Sequence, residues 1–237
     1  MLNQSVHVQA QPHPIARLVL LHGAGAPVQS EFFSKLQLQL AGLGIESIAL
    51  NLAYMEQVRL GHKRPPPKIG LLVDEFRLAV AQLLLDLNAS GAAELPLLLA
   101  GKSMGGRIIT QLLADSTLTK EWLTQPQAGV VFGYPWCPAK QQQAGGDAMA
   151  KHLAARCGFW PRLQQPVMVL QGTRDAFGTP LQLEHYYQQV APQQAMLQVQ
   201  AIVGACHDFK GVPQVFEQLG QHLVWFIQHV VHGARDA

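Results

Sequence analysis

The stretch Gly101-Lys102-Ser103-Met104-Gly105 sets one serine between two glycines, directly after the apolar run Leu95–Ala100 and before Ile108-Ile109. Two chemistries compete for such letters. Gly101-Lys102-Ser103 could close a phosphate loop, but that loop needs a glycine five residues before Gly101, where Pro96 stands. The intervening Leu-Leu-Leu-Ala reads as strand and leaves no loop to wrap a phosphate. The other chemistry is nucleophilic. A serine on a sharp strand-to-helix turn projects its Oγ above a sheet, and its neighbours two residues away must be small because strand and helix nearly touch there. Helix N–H groups beneath the turn favour a developing oxyanion. Ser103 as a plain helix cap is the structural alternative.

A serine nucleophile needs a base, an acid to orient that base, and a second oxyanion donor. The run Pro166–Gly172 leads into Thr173-Arg174-Asp175, and the later run reaches Gly204-Ala205-Cys206-His207. Asp175 and His207 therefore each follow a strand-like segment, in the order serine, acid, histidine. Asp208 is the rival acid, but a residue adjacent to His207 reaches its far ring nitrogen poorly. Upstream, His22-Gly23-Ala24-Gly25 follows another apolar run, so the Ala24 N–H can join the Met104 N–H as an oxyanion hole. His22 itself reads as a brace for the turn at Gly23, and Cys206 as packing. Asp175 as a turn former is the bland alternative for that residue. Lys63, Arg64 and Lys68 flank Pro65-Pro66-Pro67, a solvated loop that could also receive an anionic group. His152 is a further candidate lining residue. No His/Cys/Asp/Glu cluster has metal-ligand spacing, so neither metal nor other cofactor is expected.

The elements that must hold these residues alternate. Strand-like runs cover 17–23, 45–52, 95–101, 128–134, 166–172 and 196–205, mostly continuously apolar, as suits strands covered on both faces. Helical periodicity lies between them. Phe32, Leu36, Leu40 and Leu43 follow Ser30 as N-cap. Asp74 is the expected cap before Phe76, Val80, Leu83, Leu84 and Leu87. The last helix carries Leu219, Leu223 and Phe226 between Pro213 and Gly233. This alternation predicts α/β architecture with a mostly parallel, doubly wound sheet and helices on both faces. Residues 54–68 and 138–165 interrupt it, and both should lie at the carboxyl edge, where ligands bind in such sheets.

Composition narrows the class. The chain has 237 residues, 49% apolar and only 14% charged, which fits one domain over residues 1–237 with a short insert at 138–165. A net charge of +2, with no basic stripe, argues against nucleic acid as partner. Three scattered cysteines suit a reducing, cytoplasmic setting rather than a disulfide framework. The start of the sequence lacks a signal-peptide layout, and Leu18–Leu21 is far too short to span a membrane, so no membrane partner is expected. Oligomeric state is not encoded in any of these patterns.

Taken together, HGAGAP, GKSMGGR, the triple proline, QGTRDAFGTP and GACHDFKG resemble the α/β-hydrolase superfamily. More narrowly they resemble its small group related to a testis-expressed hydrolase-like protein and to a non-catalytic subunit of a histone acetyltransferase complex. The resemblance implies an α/β-hydrolase fold with a minimal cap and Ser103, Asp175 and His207 as triad. It also implies Ala24 and Met104 as oxyanion donors. The expected activity is hydrolysis of a small acyl substrate, an ester or thioester and possibly an amide. The competing expectation is a silent binding or scaffold protein that keeps the fold without turnover.

Overall fold

The computed structural model of the chain describes residues 5–8, 13–62, 64–92, 94–115, 122 and 125–232. Its centre is a seven-stranded sheet: β1 (Ser5–Val8), β2 (Ala16–Leu21), β3 (Ile45–Leu50), β4 (Leu97–Lys102), β5 (Ala128–Phe132), β6 (Val167–Gly172) and β7 (Leu197–Ile202). They lie in the order β1-β3-β2-β4-β5-β6-β7. Strands β2 to β7 run parallel, and β1 pairs antiparallel with β3. The six sequence-predicted strands are all present. β1 is an addition, a four-residue edge strand. On the same side of the sheet Arg17 and Glu46, neighbours in the β2–β3 register, form a buried two-bond ion pair that His7 extends. Burial would raise the Glu46 carboxyl, but the bonds from Arg17 and His7 outweigh it and hold the group below its ordinary range.

Alternation of side chains splits the core into two layers. Leu18, Leu20, Ala100, Val130 and Phe132 face α1 (Glu31–Gly42) and α8 (Val215–Phe226), which supply Phe33, Leu36, Leu40, Leu219, Leu223 and Phe226. Val19, Leu21, Leu99, Val131 and Val169 face the opposite layer. That layer contains α3 (Ile69–Ala89), α4 (Met104–Leu113), α6 (Gly146–Cys157) and α7 (Pro180–Val190). With both faces covered, the β2, β3 and β6 strands are buried along their whole length, which is why they read as mostly apolar runs.

The interrupting segments are helical. Residues 54–68 hold most of α2 (Ala53–Arg59), and the insert at 138–165 folds as α5 (Ala139–Ala144), α6 and a 3₁₀ turn at Trp160–Arg162. Leu153, Cys157, Phe159 and Trp160 bury the insert against the same layer as α3 and α4. Helix starts were harder to read than strands. Asp74 is not a cap: α3 begins at Ile69, and Lys68 holds the cap position. The tract Ile69-Gly70-Leu71-Leu72-Val73 is already helical and extends the apolar face N-terminally, past the acid that looked like a boundary. Ser30 does precede α1, but its side chain makes no cap bond. Thr179 caps α7 with a reciprocal pair of bonds to Gln182. Pro213 precedes α8 as expected, whereas Gly233 lies outside the described residues.

Candidate active site

Strand order reverses between β2 and β4, so their carboxyl ends leave a crevice, the usual ligand position in open parallel sheets. Ser103 follows β4 there with φ 53° and ψ −112°. A non-glycine residue at positive φ is costly, on the order of 1–3 kcal/mol, and persists only where its surroundings enforce it. The enforcement is steric. A Cβ on Gly101 would stand 2.3 Å from the Gly105 carbonyl carbon, and one on Gly105 would stand 2.6 Å from the His22 carbonyl oxygen. Strand, turn and helix are thus in backbone contact. Ser103 occupies the N-cap position of α4, yet its side chain makes no cap bond. Its Oγ instead meets His207 Nε2 at 2.8 Å.

The far side of that ring is fixed. His207 Nδ1 lies 2.7 Å from Asp175 Oδ2, where Nδ1–H donates and leaves the Nε2 lone pair facing the serine hydroxyl. Asp175 is buried, and both its oxygens are engaged: Oδ1 accepts from the Phe177 N–H at 2.8 Å and Oδ2 from Gln171 Nε2 at 2.9 Å. The Phe177 ring lies 4.6 Å from the imidazole and closes one side of it. Three residues separated by up to 104 positions therefore form one hydrogen-bonded relay. Asp208 stays out of it and pairs with Lys102 at 3.1 Å. Partial burial would raise the Asp208 carboxyl, but the Lys102 bond keeps it below its ordinary range.

Two positioning residues escaped the sequence reading. Gln171 is fully buried; besides holding Asp175, its Nε2 donates to the Gly178 carbonyl at 2.6 Å and its Oε1 accepts from the Tyr134 N–H at 2.7 Å. It ties the ends of β5 and β6 to the acid loop. A lone glutamine in the apolar run Pro-Val-Met-Val-Leu-Gln-Gly was the available signal. Lys102, between glycine and serine, donates to the His207 carbonyl at 3.4 Å and so links the serine turn to the histidine loop.

The remaining candidates fall at different distances from this centre. Gly23 abuts the turn, since a Cβ there would lie 3.5 Å from Ser103 Cβ. Ala24 is the next residue, and Met104 is the first of α4; among the described residues neither N–H has a hydrogen-bond acceptor. His22 is a brace, as expected. It is buried, its Nδ1–H donates to the Gly23 carbonyl at 2.6 Å, and its Nε2 accepts from the Leu52 N–H at 3.0 Å. Burial pushes its pKa down to about 4. His152 is half-buried on α6, and Arg64 is exposed between α2 and α3. Lys63 lies outside the described residues, and Lys68 is exposed at the cap of α3. Cys206 is half-exposed and unpaired. Among the described residues no cluster of His, Cys, Asp and Glu is arranged to hold a metal, and no helix is long and apolar enough to cross a membrane.

A strained serine at the switch point, backed by glycines and followed by an acid and a histidine on later strand ends, is one fold family's arrangement. The sequence matches the alpha/beta hydrolase domain family over residues 14–232. The chain belongs to that family. Among curated proteins there is no match. Similar solved structures include the ferulic-acid-bound Est1E of Butyrivibrio proteoclasticus, 12% identical with a TM-score of 0.68, covering 97% of this chain and 95% of that one. The monoacylglycerol lipase of Paleococcus ferrophilus is 17% identical with a TM-score of 0.64, over 97% of this chain and 100% of that one. The dienelactone hydrolase of Anabaena variabilis is 17% identical with a TM-score of 0.63, over 95% and 91%. At such identities the likeness is one of fold.

Proposed function

We propose that the protein is a serine hydrolase that cleaves a carboxylic ester or thioester through an acyl-enzyme. The observation that carries this reading is the relay itself: Nε2 at 2.8 Å from Ser103 Oγ with Nδ1 at 2.7 Å from Asp175 Oδ2. As Ser103 Oγ attacks the carbonyl carbon, His207 Nε2 takes the hydroxyl proton. Asp175 stabilises the imidazolium that results. The Ala24 and Met104 N–H groups receive the negative charge on the carbonyl oxygen, aided by the N-terminal end of α4. Collapse expels the alcohol or thiol, protonated by His207. Water, deprotonated by the same nitrogen, then attacks the acyl-enzyme and releases the acid, restoring Ser103.

A silent scaffold has no physical reason to keep a strained serine, a buried carboxylate and an imidazole in register, so the enzymatic reading is preferred. The GKSMGGR and QGTRD motifs support a place near the testis-expressed hydrolase-like group. Three unpaired cysteines suit a reducing compartment such as the cytoplasm. Rapid mixing with a 4-nitrophenyl ester tests the reaction. A burst of nitrophenol near one equivalent per protein, absent in Ser103→Ala, is the expected result; steady turnover unchanged by that substitution would refute the mechanism.

A further inference from the structure

Arg107 and Arg156 are a pair of cations that have no acidic partner among the described residues. Arg107 is one turn into α4, and its backbone N–H bonds the Ser103 carbonyl at 3.2 Å. Side chains on a helix lean toward its N-terminus, here the serine end. The Arg107 Nε is closed off from solvent and has no hydrogen-bond acceptor among the described residues. Arg156 lies in the last turn of α6, and its Nη1 donates to the carbonyl of Pro135, just past β5, at 2.5 Å. Its own carbonyl accepts a bond from the Tyr134 hydroxyl. Among the described residues neither guanidinium is ion-paired. Burial, and after it the neighbouring charge of Arg107, lowers the Arg156 pKa from its ordinary value.

Like charges beside buried Tyr134, Cys157 and Trp160 are unfavourable unless an anion joins them. Three other part-buried cations have such partners: Arg17 has Glu46, Arg59 has Glu56 and Lys102 has Asp208. Guanidinium is planar and matches a carboxylate with two parallel bonds. We propose that Arg107 and Arg156 form a subsite for a carboxylate carried by the substrate, beside the bond that Ser103 attacks. This rests on the hydrolase reading above and makes the acyl group a dicarboxylic half-ester or half-thioester. His152, one turn before Arg156 on α6, stands on the same half-buried face.

Two measurements test it independently of each other. The first compares 4-nitrophenyl hemiglutarate with neutral 4-nitrophenyl valerate, a chain of equal carbon count. The wild type is expected to favour the anionic ester at least tenfold in kcat/KM. In Arg107→Gln and, separately, Arg156→Gln, that ratio is expected to collapse toward one, chiefly through KM. No preference in the wild type, or a preference that survives both substitutions, overturns the proposal. The second is calorimetric titration of Ser103→Ala with glutarate, which needs no turnover. Binding that is lost on adding Arg107→Gln supports the subsite even if no ester is hydrolysed; absent or unchanged binding overturns it. Hydrolysis that persists in Ser103→Ala would instead strike the mechanism and leave the calorimetric result to decide the subsite.

Discussion

Two histidines stand at the carboxyl edge of the sheet, close to Ser103, and their loops give them opposite characters. His22, after β2, is sealed: both ring nitrogens are spent on backbone, Nδ1 on the Gly23 carbonyl and Nε2 on the Leu52 N–H. Burial holds its pKa near 4, so it is neutral and has no lone pair to offer. His207, after β7, is partly open, with a carboxylate behind it and a hydroxyl in front. The residue type is the same and the sheet edge is the same. What differs is the partner: peptide groups make a fixed strut, while a carboxyl group on one side and a serine hydroxyl on the other give the arrangement that the proposed proton transfer requires. Composition cannot tell such residues apart, because the chain has ten histidines; only the loop that follows each strand can.

The contrast is tested most severely by removing each imidazole. His207→Ala should cut kcat by on the order of 10³-fold or more while the protein stays folded. His22→Ala should do the reverse. It strands the Leu52 N–H and empties a buried site, costing about 2–4 kcal/mol in urea melts while leaving His207 and Asp175 in place. If both substitutions affected activity equally without unfolding, the division of roles would be wrong. Asp175→Asn comes next. It keeps the size of the acid but loses its charge and favours the wrong tautomer, with an expected kcat loss of about 10³- to 10⁴-fold, the scale known for the equivalent change in serine proteases.

The two histidines also differ in how acid acts on them. His22 has a folded pKa of about 4 against 6.5 when unfolded. The unfolded chain therefore binds the extra proton first. The stability tied to His22 is fully present above pH 6.5 and is lost as pH falls from 6.5 toward 4, by roughly 3 kcal/mol in all. Urea melts at pH 7 and pH 5 should show wild type losing about 2 kcal/mol more than His22→Gln. Equal losses would mean that His22 is not buried in its neutral form. The smallest effect expected is at Lys102. Lys102→Met removes the tie between the serine turn and the histidine loop, and should lower kcat several-fold, with Tm changed little because Asp208, its ion-pair partner, is largely exposed.

Much of this was legible in the sequence because the backbone itself demanded it. Strands buried on two faces print as apolar runs, and a strained serine turn prints as glycines two residues to either side. Ser103, Asp175 and His207 each follow such a strand, so position singled them out. β1 escaped because Ser-Val-His-Val is short and belongs to the sheet edge, where pairing with β3 rather than a run of apolar residues defines it. The start of α3 escaped because apolar residues before Asp74 continue the same buried face. Gln171, Lys102, Arg107 and Arg156 carry no periodic mark at all. Their partners lie on other strands and helices, and only the fold brings Gln171 to Asp175 or Lys102 to the His207 carbonyl.

The central claim is that His207 and Asp175 make Ser103 a nucleophile. Intact mass after exposure to a fluorophosphonate, followed by peptide mapping, tests it most directly. The expected result is one adduct per chain on Ser103, formed fast by wild type and at least a hundredfold more slowly by His207→Ala. An adduct on another residue, or a Ser103 adduct formed as fast without the imidazole, would contradict it.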